Sequence, residues 1–592
     1  MSLPATNHIC LAGTFTHDNF KVYDRQNNYL ETPKQIIRQI DGTDEGSNGF
    51  VVKYGPNGGL RWTAQMSGHS TEQGFATALD PSSNVYVSGY FQDVSLNVYE
   101  GKKTYDAPEP YVSHTISNPD ADISNSFLVK YDTSGNYQWG LCTGSNTAQG
   151  GTKKLTSIAT QDNQNFYYTT CFDGTSTQLY NQAGGIAVDI FHEEAASKQN
   201  VLLARYGSDG AVDWVARVEG ISNDIIRNNI TVDSEGSVYL QMVYKNVIVS
   251  GNYIRVFNGD PNSEITSLQI NANGNCPVEG GDGLKAVIVK FNSVGEYIWT
   301  LQMPTPLYWG SMRLAIDADL NVYITGNLDG PDTVQFYDSV YSGGQGSTQL
   351  QVYDLQSRIG YYTMYVAKYS PNGSVVQCQW VNLIAGDSYL KPESNADYPP
   401  YLGGYGIAVD ASGNSYTTGY FNDKFVTYDR YQRTYSYYPH TDPLVTLTSH
   451  RVPELSTGGG TRQYVEQNGF VASYDTNGVF RWVVQLFNAE VRGCDVSVDS
   501  AGQVVVGGFF GHYRQSLIVG APIRAPNGLV KNLQQVNQGA YIMRIVGTPT
   551  SYNDYNYFVL KLNKQGNIIW GTQMGTTNIN NLNYSLCDID TN

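Results

Sequence analysis

The stretch "FVVKYGPNGGLRW", Phe50 to Trp62, places an aromatic residue, a glycine and a tryptophan at four-residue steps: Tyr54, Gly58 and Trp62. The string "FLVKYDTSGNYQW", Phe127 to Trp139, repeats it. The frame returns as Tyr206/Gly210/Trp214, Phe291/Gly295/Trp299, Tyr369/Gly373, Tyr474/Gly478/Trp482 and Leu562/Gly566/Trp570, which makes seven copies 75 to 105 residues apart. The fifth departs, with Gln377 at the expected tryptophan place and Trp380 three residues late. Seven of the eight tryptophans belong to the pattern, and only Trp309 lies outside it. "FVVKY" is rich in β-branched and aromatic residues and reads as a strand. "GPNG" and "DTSG" are turns whose last glycine supplies positive φ, and "LRWTAQM" is the returning strand. Each copy is therefore a β-hairpin, with a tryptophan expected to pack between neighbouring units.

A second phrase is interleaved with the first. "ATALDPSSNVYVSGYF" from Ala76 recurs as "LAIDADLNVYITGNL" from Leu314, "IAVDASGNSYTTGYF" from Ile407 and "VSVDSAGQVVVGGFF" from Val496, with weaker copies from Ser157 and Asn229. It reads strand, polar turn, strand, so one unit carries four strands. The sequence closes on "LCDIDTN", the first half of this phrase, and opens with "HICLAGTF", its second half. Joined, they make a seventh copy. A unit split between first and last strands is the closure of a ring of blades, which removes exposed sheet edges. The expected fold is all-β: a seven-bladed β-propeller of four-stranded blades. "FATALD"-like strands are expected innermost, then "VYVSGYF", "FVVKY" and "LRWTAQM" outward.

"IAVDASGNSYTTGYF" and "GFVASYDTNGVFRW" resemble the SBBP repeat, a family named for its seven-bladed propeller. The resemblance covers all seven units but not the insertions between their second and third strands. It implies a scaffold or binding module of the kind found on bacterial surfaces and in large DNA viruses, and it supplies no catalytic residue.

The bulk composition limits partners. Hydrophobic residues make up 41% of the 592 residues, charged residues only 15%, and the net charge is −17. An acidic chain without a basic cluster is a poor match for nucleic-acid phosphates or anionic lipid. No apolar run reaches the roughly 18 residues of a membrane helix, so no membrane insertion is expected. The N-terminus lacks the basic and apolar regions of a signal peptide. The cysteines, Cys10, Cys142, Cys171, Cys276, Cys378, Cys494 and Cys587, are widely spaced without CxxC, which argues against a zinc site or a disulfide framework.

A blade needs roughly 40–50 residues. The surplus falls between second and third strands, at about 16–47, 92–124, 173–199, 245–284, 329–362, 422–467 and 511–555. These insertions are expected to leave one face of the disc and decorate it as a docking surface. They are rich in tyrosine, which offers large contact area with a polar tip and little entropy to lose. Tyr398, Tyr401, Tyr431, Tyr435, Tyr437, Tyr438, Tyr552 and Tyr555 are the candidate binding residues. The competing role for these side chains is packing the insertions onto the ring.

Asp80, Asp233, Asp317, Asp410, Asp499 and Asp590 appear equivalent, each ending an inner strand. "DADLN" from Asp317 resembles a calcium loop but lacks its glycine and its final glutamate, so turn-capping is the expected role. "SYDTNGVFRW" resembles a sialidase Asp-box with extra residues, itself a structural motif. No HExxH, GxSxG or P-loop occurs. The chain is expected to be non-enzymatic, without metal or cofactor. The expected function is a structural or attachment protein on a particle surface. That points to a virion component made in the cytoplasm that binds capsid or surface neighbours and, as a further possibility, glycans. The alternatives are an intracellular protein–protein scaffold and a carbohydrate-binding or glycoside-cleaving propeller.

Overall fold

The computed structural model describes residues 7–15, 20–25, 35–37, 48–68, 73–92, 94–101, 112–118, 124–145, 152–172, 176–180, 185–191, 199–222, 225–245, 253–257, 264–269, 284–303, 307–329, 334–339, 349–352, 362–385, 402–421, 424–427, 431–432, 445–448, 451–454, 462–465, 467–487, 489–511, 516–524, 541–544, 555–575 and 588–591. Among them there is no helix, and the strands form seven antiparallel blades.

From the axis outward, blade 1 is Asp588–Thr591, Ile9–Phe15, Asn48–Tyr54 and Leu60–Ser67. Blade 2 is Gln73–Leu79, Val85–Phe91, Asn125–Tyr131 and Tyr137–Ser145. Blade 3 is Thr152–Thr160, Asn165–Phe172, Gln199–Gly207 and Val212–Ser222. Blade 4 is Ile225–Val232, Val238–Lys245, Leu284–Phe291 and Tyr297–Gln302. Blade 5 is Leu307–Ile316, Val322–Asp329, Tyr362–Asn372 and Val375–Ala385. Blade 6 is Leu402–Val409, Ser415–Phe421, Asn468–Tyr474 and Phe480–Phe487. Blade 7 is Glu490–Val498, Val504–Gly511, Tyr555–Leu562 and Ile568–Gly575. The strand order is the expected one. The C-terminal strand pairs with the N-terminal one, Ile9 opposite Thr591, and closes the ring.

The core is divided into seven apolar wedges, one per blade interface, and each holds one tryptophan of the first phrase. These indoles are buried and most carry one repeated bond. Trp62 Nε1–H donates to Thr133 O of the next blade (3.1 Å), Trp139 to Ser208 O (3.0 Å), Trp214 to Ser293 O (3.1 Å) and Trp380 to Thr476 O (3.1 Å). Trp482 donates to Lys564 O (2.9 Å), and Trp570 donates to Pro56 O (3.1 Å) across the closure. A cation opposite the tryptophan often reaches the same carbonyl. Lys130 Nζ lies 2.8 Å from Ser208 O, Arg205 Nη1 2.8 Å from Ser293 O and Lys368 Nζ 3.1 Å from Thr476 O. The recurrent glycine completes the latch. At Gly135, φ is +91° and a Cβ would lie 2.9 Å from the Trp62 ring. The phrase is thus a device that hooks six of the seven blades to the turn of the next.

The fifth copy obeys the same rule by lengthening its hairpin. Ser370 pairs with Gln377 and Asn372 with Val375, so the turn moves outward and Trp380 falls opposite Lys368. Trp62 stands opposite Lys53 in the same way. Gln377 merely occupies the added rung.

The insertions depart from the expectation of a decorated face. Among the described residues six insertion hairpins run back to the outer strand of the preceding blade. Ser95–Tyr99 and Val112–Ser117 extend blade 1, Ser176–Tyr180 and Ile186–Phe191 blade 2, and Tyr253–Phe257 and Glu264–Gln269 blade 3. Lys424–Thr427 and Val445–Thr448 extend blade 5, and Ser516–Val519 and Tyr541–Arg544 extend blade 6. Phe20–Val22 and Gln35–Ile37 extend blade 7 across the closure. The hairpin of Val334–Tyr337 and Gln349–Val352 stays a separate pair, and its Phe336 packs into the wedge holding Trp299 and Leu301. The hairpins therefore widen the rim and tie neighbours together. The physical reason is that the outer strand of a four-stranded blade has an unpaired edge, which a nearby hairpin satisfies.

Candidate functional site

Two regions of the ring are candidates: the widened rim and the mouth of the axial channel. At the rim, phrase-one tyrosines anchor the insertions from inside. Tyr54 Oη donates to Tyr23 O and Tyr131 Oη to Tyr99 O, both at 3.1 Å. Ten of the twelve largest fully buried side chains are tyrosines, so much of the tyrosine content is packing.

Of the candidate binding tyrosines, the backbone of Tyr431 pairs with Val381 on the outer strand of blade 5. The backbone of Tyr555 pairs with Gly511 in blade 7, so Tyr555 begins a blade strand. Tyr398, Tyr401, Tyr435, Tyr437, Tyr438 and Tyr552 lie outside the described residues.

The repeated aspartates are turn caps on the face opposite the insertions. Asp317 Oδ1 accepts from Asp319 N (3.0 Å) and Asn321 N (2.9 Å), and Tyr323 Oη donates to its Oδ2 (3.1 Å). Asp80, Asp233, Asp410 and Asp499 accept similarly from their own turns. Asp590 does not belong with them. Register places Thr591, not Asp590, opposite the first residue of the second strand. Its Oδ2 instead accepts from Leu79 N of blade 2 at 2.8 Å, so it joins inner strands across the closure. Asp475 of the Asp-box-like string also caps its own turn, through Asn477 N and Val479 N. Among the described residues no three His, Cys, Asp or Glu side chains form a metal-holding group. Cys10, Cys142, Cys171 and Cys378 are buried thiols without disulfides.

At the closure, His8 Nδ1 lies 3.0 Å from Ser83 Oγ, and Lys53 Nζ donates to Ser83 O. Burial, then the charges of Lys53 and Arg61, push the His8 imidazole down to about 4. Burial also lowers the Lys53 ammonium to about 8.

The channel holds a group that the motifs did not single out. One rung recurs on every inner strand: Ala76, Ser157, Asn229, Arg313, Gly406, Asp495 and Asp588. Small or neutral residues dominate it, and Ser157 Oγ bonds Asn229 Oδ1 at 2.7 Å. Arg313 of blade 5 is the exception in the middle of the chain, and Arg227 lies two residues before Asn229 on blade 4. Burial first, then Arg313, push the Arg227 guanidinium down to about 10, against the pull of Tyr405 and Asp495. Arg313 stands on the neighbouring blade 5, and Tyr405 and Asp495 belong to blades 6 and 7. Aligning the second phrase rung by rung would have shown Arg313 as the one cation on this rung, beside the carboxylates Asp495 and Asp588.

No family model matches the chain, and the SBBP type expected from the motifs gains no support there. The chain is 27% identical over 488 residues to an uncharacterized WD repeat-containing protein of Acanthamoeba polyphaga mimivirus. The match takes in 78% of this chain and 31% of that protein, so the chain spans about a third of its relative's length. With its seven blades, the chain is a propeller repeat protein with a giant-virus homologue. Among solved structures, a eukaryotic initiation factor (11% identical, 67% of this chain and 95% of that one) aligns with a TM-score of 0.16. A leech intramolecular trans-sialidase (10% identical, 97% and 94%) reaches 0.18. At these scores neither likeness bears on fold or function. Among the described residues no helix is long and apolar enough to cross a membrane.

Proposed function

We propose that the chain is a non-enzymatic interaction platform, a virion component that binds protein neighbours through its widened rim. One observation carries this reading: six of the described insertion hairpins are pinned to the outer strands of preceding blades, which makes the rim a rigid support. By sequence, Tyr435, Tyr437 and Tyr438 belong to the connection between Lys424–Thr427 and Val445–Thr448, two paired strands on the blade 5 edge. Binding residues on loops held by a rigid scaffold are the usual arrangement for recognition. The giant-virus relative supports a viral setting, and a propeller with a WD repeat-containing relative suits protein interaction. The test replaces Tyr435, Tyr437 and Tyr438 together by serine and captures partners from solubilised particles. Loss of a specific partner with unchanged circular dichroism supports the platform, and unchanged capture contradicts this rim site.

A second reading is an intracellular protein–protein scaffold. The four buried thiols favour it, because they suit a reducing compartment.

A further inference from the structure

We propose that the ring parts at the seam between blades 4 and 5, opening at the rim while it stays hinged further in. Three kinds of bond hold the other six seams, and among the described residues this seam lacks all three. The first is the indole bond. Trp299 donates to no carbonyl of blade 5, whereas the other six tryptophans of the phrase each reach the next turn. The second is the cation beside it. Lys53, Lys130, Arg205, Lys368, Arg481 and Lys561 all donate to the carbonyl that their tryptophan uses. Lys290 stays within blade 4, its Nζ 3.2 Å from Asp233 Oδ2. The third is the hairpin strap. Val334–Tyr337 and Gln349–Val352 pair with each other, and the residues that follow the first strand dock on blade 5 itself. Ser339 N donates to Val376 O (3.0 Å), Val376 N to Ser339 Oγ (2.7 Å) and Cys378 N to Asp338 Oδ1 (3.1 Å).

Two prolines account for the gap. In the six strapped blades the residue five after the tryptophan pairs with the hairpin, as Ser67 does with Asn97 and Gly575 with Lys21. Blade 4 has Pro304 at that place, and a proline has no N–H to give to a ladder. In the six latched turns the acceptor stands two residues after the first residue of the frame, as Thr133 follows Tyr131. Blade 5 has Pro371 there, and its lengthened hairpin draws that residue into a strand rung opposite Val376. Further in, the two blades are tied. Gln241 Nε2 donates to Met312 O at 2.6 Å, Thr231 Oγ1 donates to Leu314 O at 3.4 Å, and Leu284 pairs with Leu307. Towards the rim, apolar packing closes the wedge, with the Phe336 ring 5.1 Å from Tyr365 in one cluster with Trp299 and Leu301. Local opening is drawn to the interface that the fewest bonds cross. The terminal closure is not that interface, because Trp570, Lys561 and the Phe20–Val22 strap all cross it. The inference does not depend on the rim reading.

Cys378 reports on this seam. Its thiol is buried in the same wedge as Trp299 and Phe336, while Cys10 and Cys171 are buried in other wedges. The test labels the full chain with N-ethylmaleimide in urea below the unfolding midpoint and quantifies each cysteine from its own peptide by mass spectrometry. Hydrogen exchange of the ladder between Tyr362–Asn372 and Val375–Ala385 is followed in parallel. Cys378 is expected to label about tenfold or more faster than Cys10 and Cys171, with that ladder still protected. Phe336→Ala should speed Cys378 by about tenfold again and leave Cys10 and Cys171 unchanged. One common rate for the three thiols overturns the proposal, as does faster labelling of Cys10 or Cys171, which puts the opening at another seam. Loss of ladder protection at the rate of Cys378 labelling also overturns it, because fraying of one strand then exposes the thiol. If Phe336→Ala does not fold, the comparison within the wild-type chain decides.

Discussion

Replacing Gly135 and Gly373 separately by alanine separates backbone strain from the latch. Both glycines occupy the same place in the repeated phrase and both have positive φ, +91° and +64°. A Cβ at Gly135 would lie 2.9 Å from the Trp62 ring and from Gly101 Cα, whereas one at Gly373 would meet nothing within 4 Å. The left-handed backbone costs an L-residue about 1–2 kcal/mol in either place. Overpacking against a fixed indole adds about 1–3 kcal/mol. Gly135→Ala should therefore lose about 3 kcal/mol and Gly373→Ala about 1 kcal/mol. Urea unfolding followed by tryptophan fluorescence measures both, compared at unchanged m so that the midpoint reports stability. Equal losses would refute the claim that the tryptophan of the preceding blade makes this glycine obligatory.

Further consequences concern the latch and the closure. Ser208 O accepts from both Trp139 and Lys130, so Trp139→Phe and Lys130→Met each leave it one donor and the double variant leaves none. The double variant should lose about 1 kcal/mol more than the sum of the singles, and additivity within about 0.5 kcal/mol contradicts a shared acceptor. His8 has a folded-state value of about 4 against 6.5 unfolded. Its contribution is therefore fully present above pH 6.5 and is lost as pH falls toward 4. After discounting for partial exposure, the loss is about 1 kcal/mol. His8→Gln should flatten this part of the stability profile relative to wild type, and parallel profiles would contradict the assignment.

The ring was legible because its units are bonded in the same way at six of the seven interfaces. A glycine that must sit under an indole and a tryptophan that must reach a carbonyl leave a fixed spacing in the chain, and six of the seven copies of the first phrase keep it. Trp380 broke the spacing because three residues were added to its hairpin, and only strand register shows that the indole returns to its place. Asp590 was misread for a related reason. The terminal copy is short, and an aspartate near its end looks like a turn cap until pairing with Ile9 shifts the rung by two. The hand-over of hairpins left no signal because the insertions share no motif. Edge pairing is made by backbone groups, to which many sequences are equivalent. Arg227 and Arg313 stand in no motif either. The charges of Tyr405 and Asp495 act on Arg227 although they come from blades 6 and 7, an effect of the ring that no stretch of sequence displays.

Placement on a particle tests the central functional claim most directly. Antibody–gold labelling of intact and detergent-stripped particles, alongside sections of the cells that produce them, would locate the protein. The account predicts gold on the outside of intact particles, with label retained or redistributed on stripping. Label confined to the cytosol, with particles bare before and after detergent, would contradict it and leave the intracellular scaffold in its place.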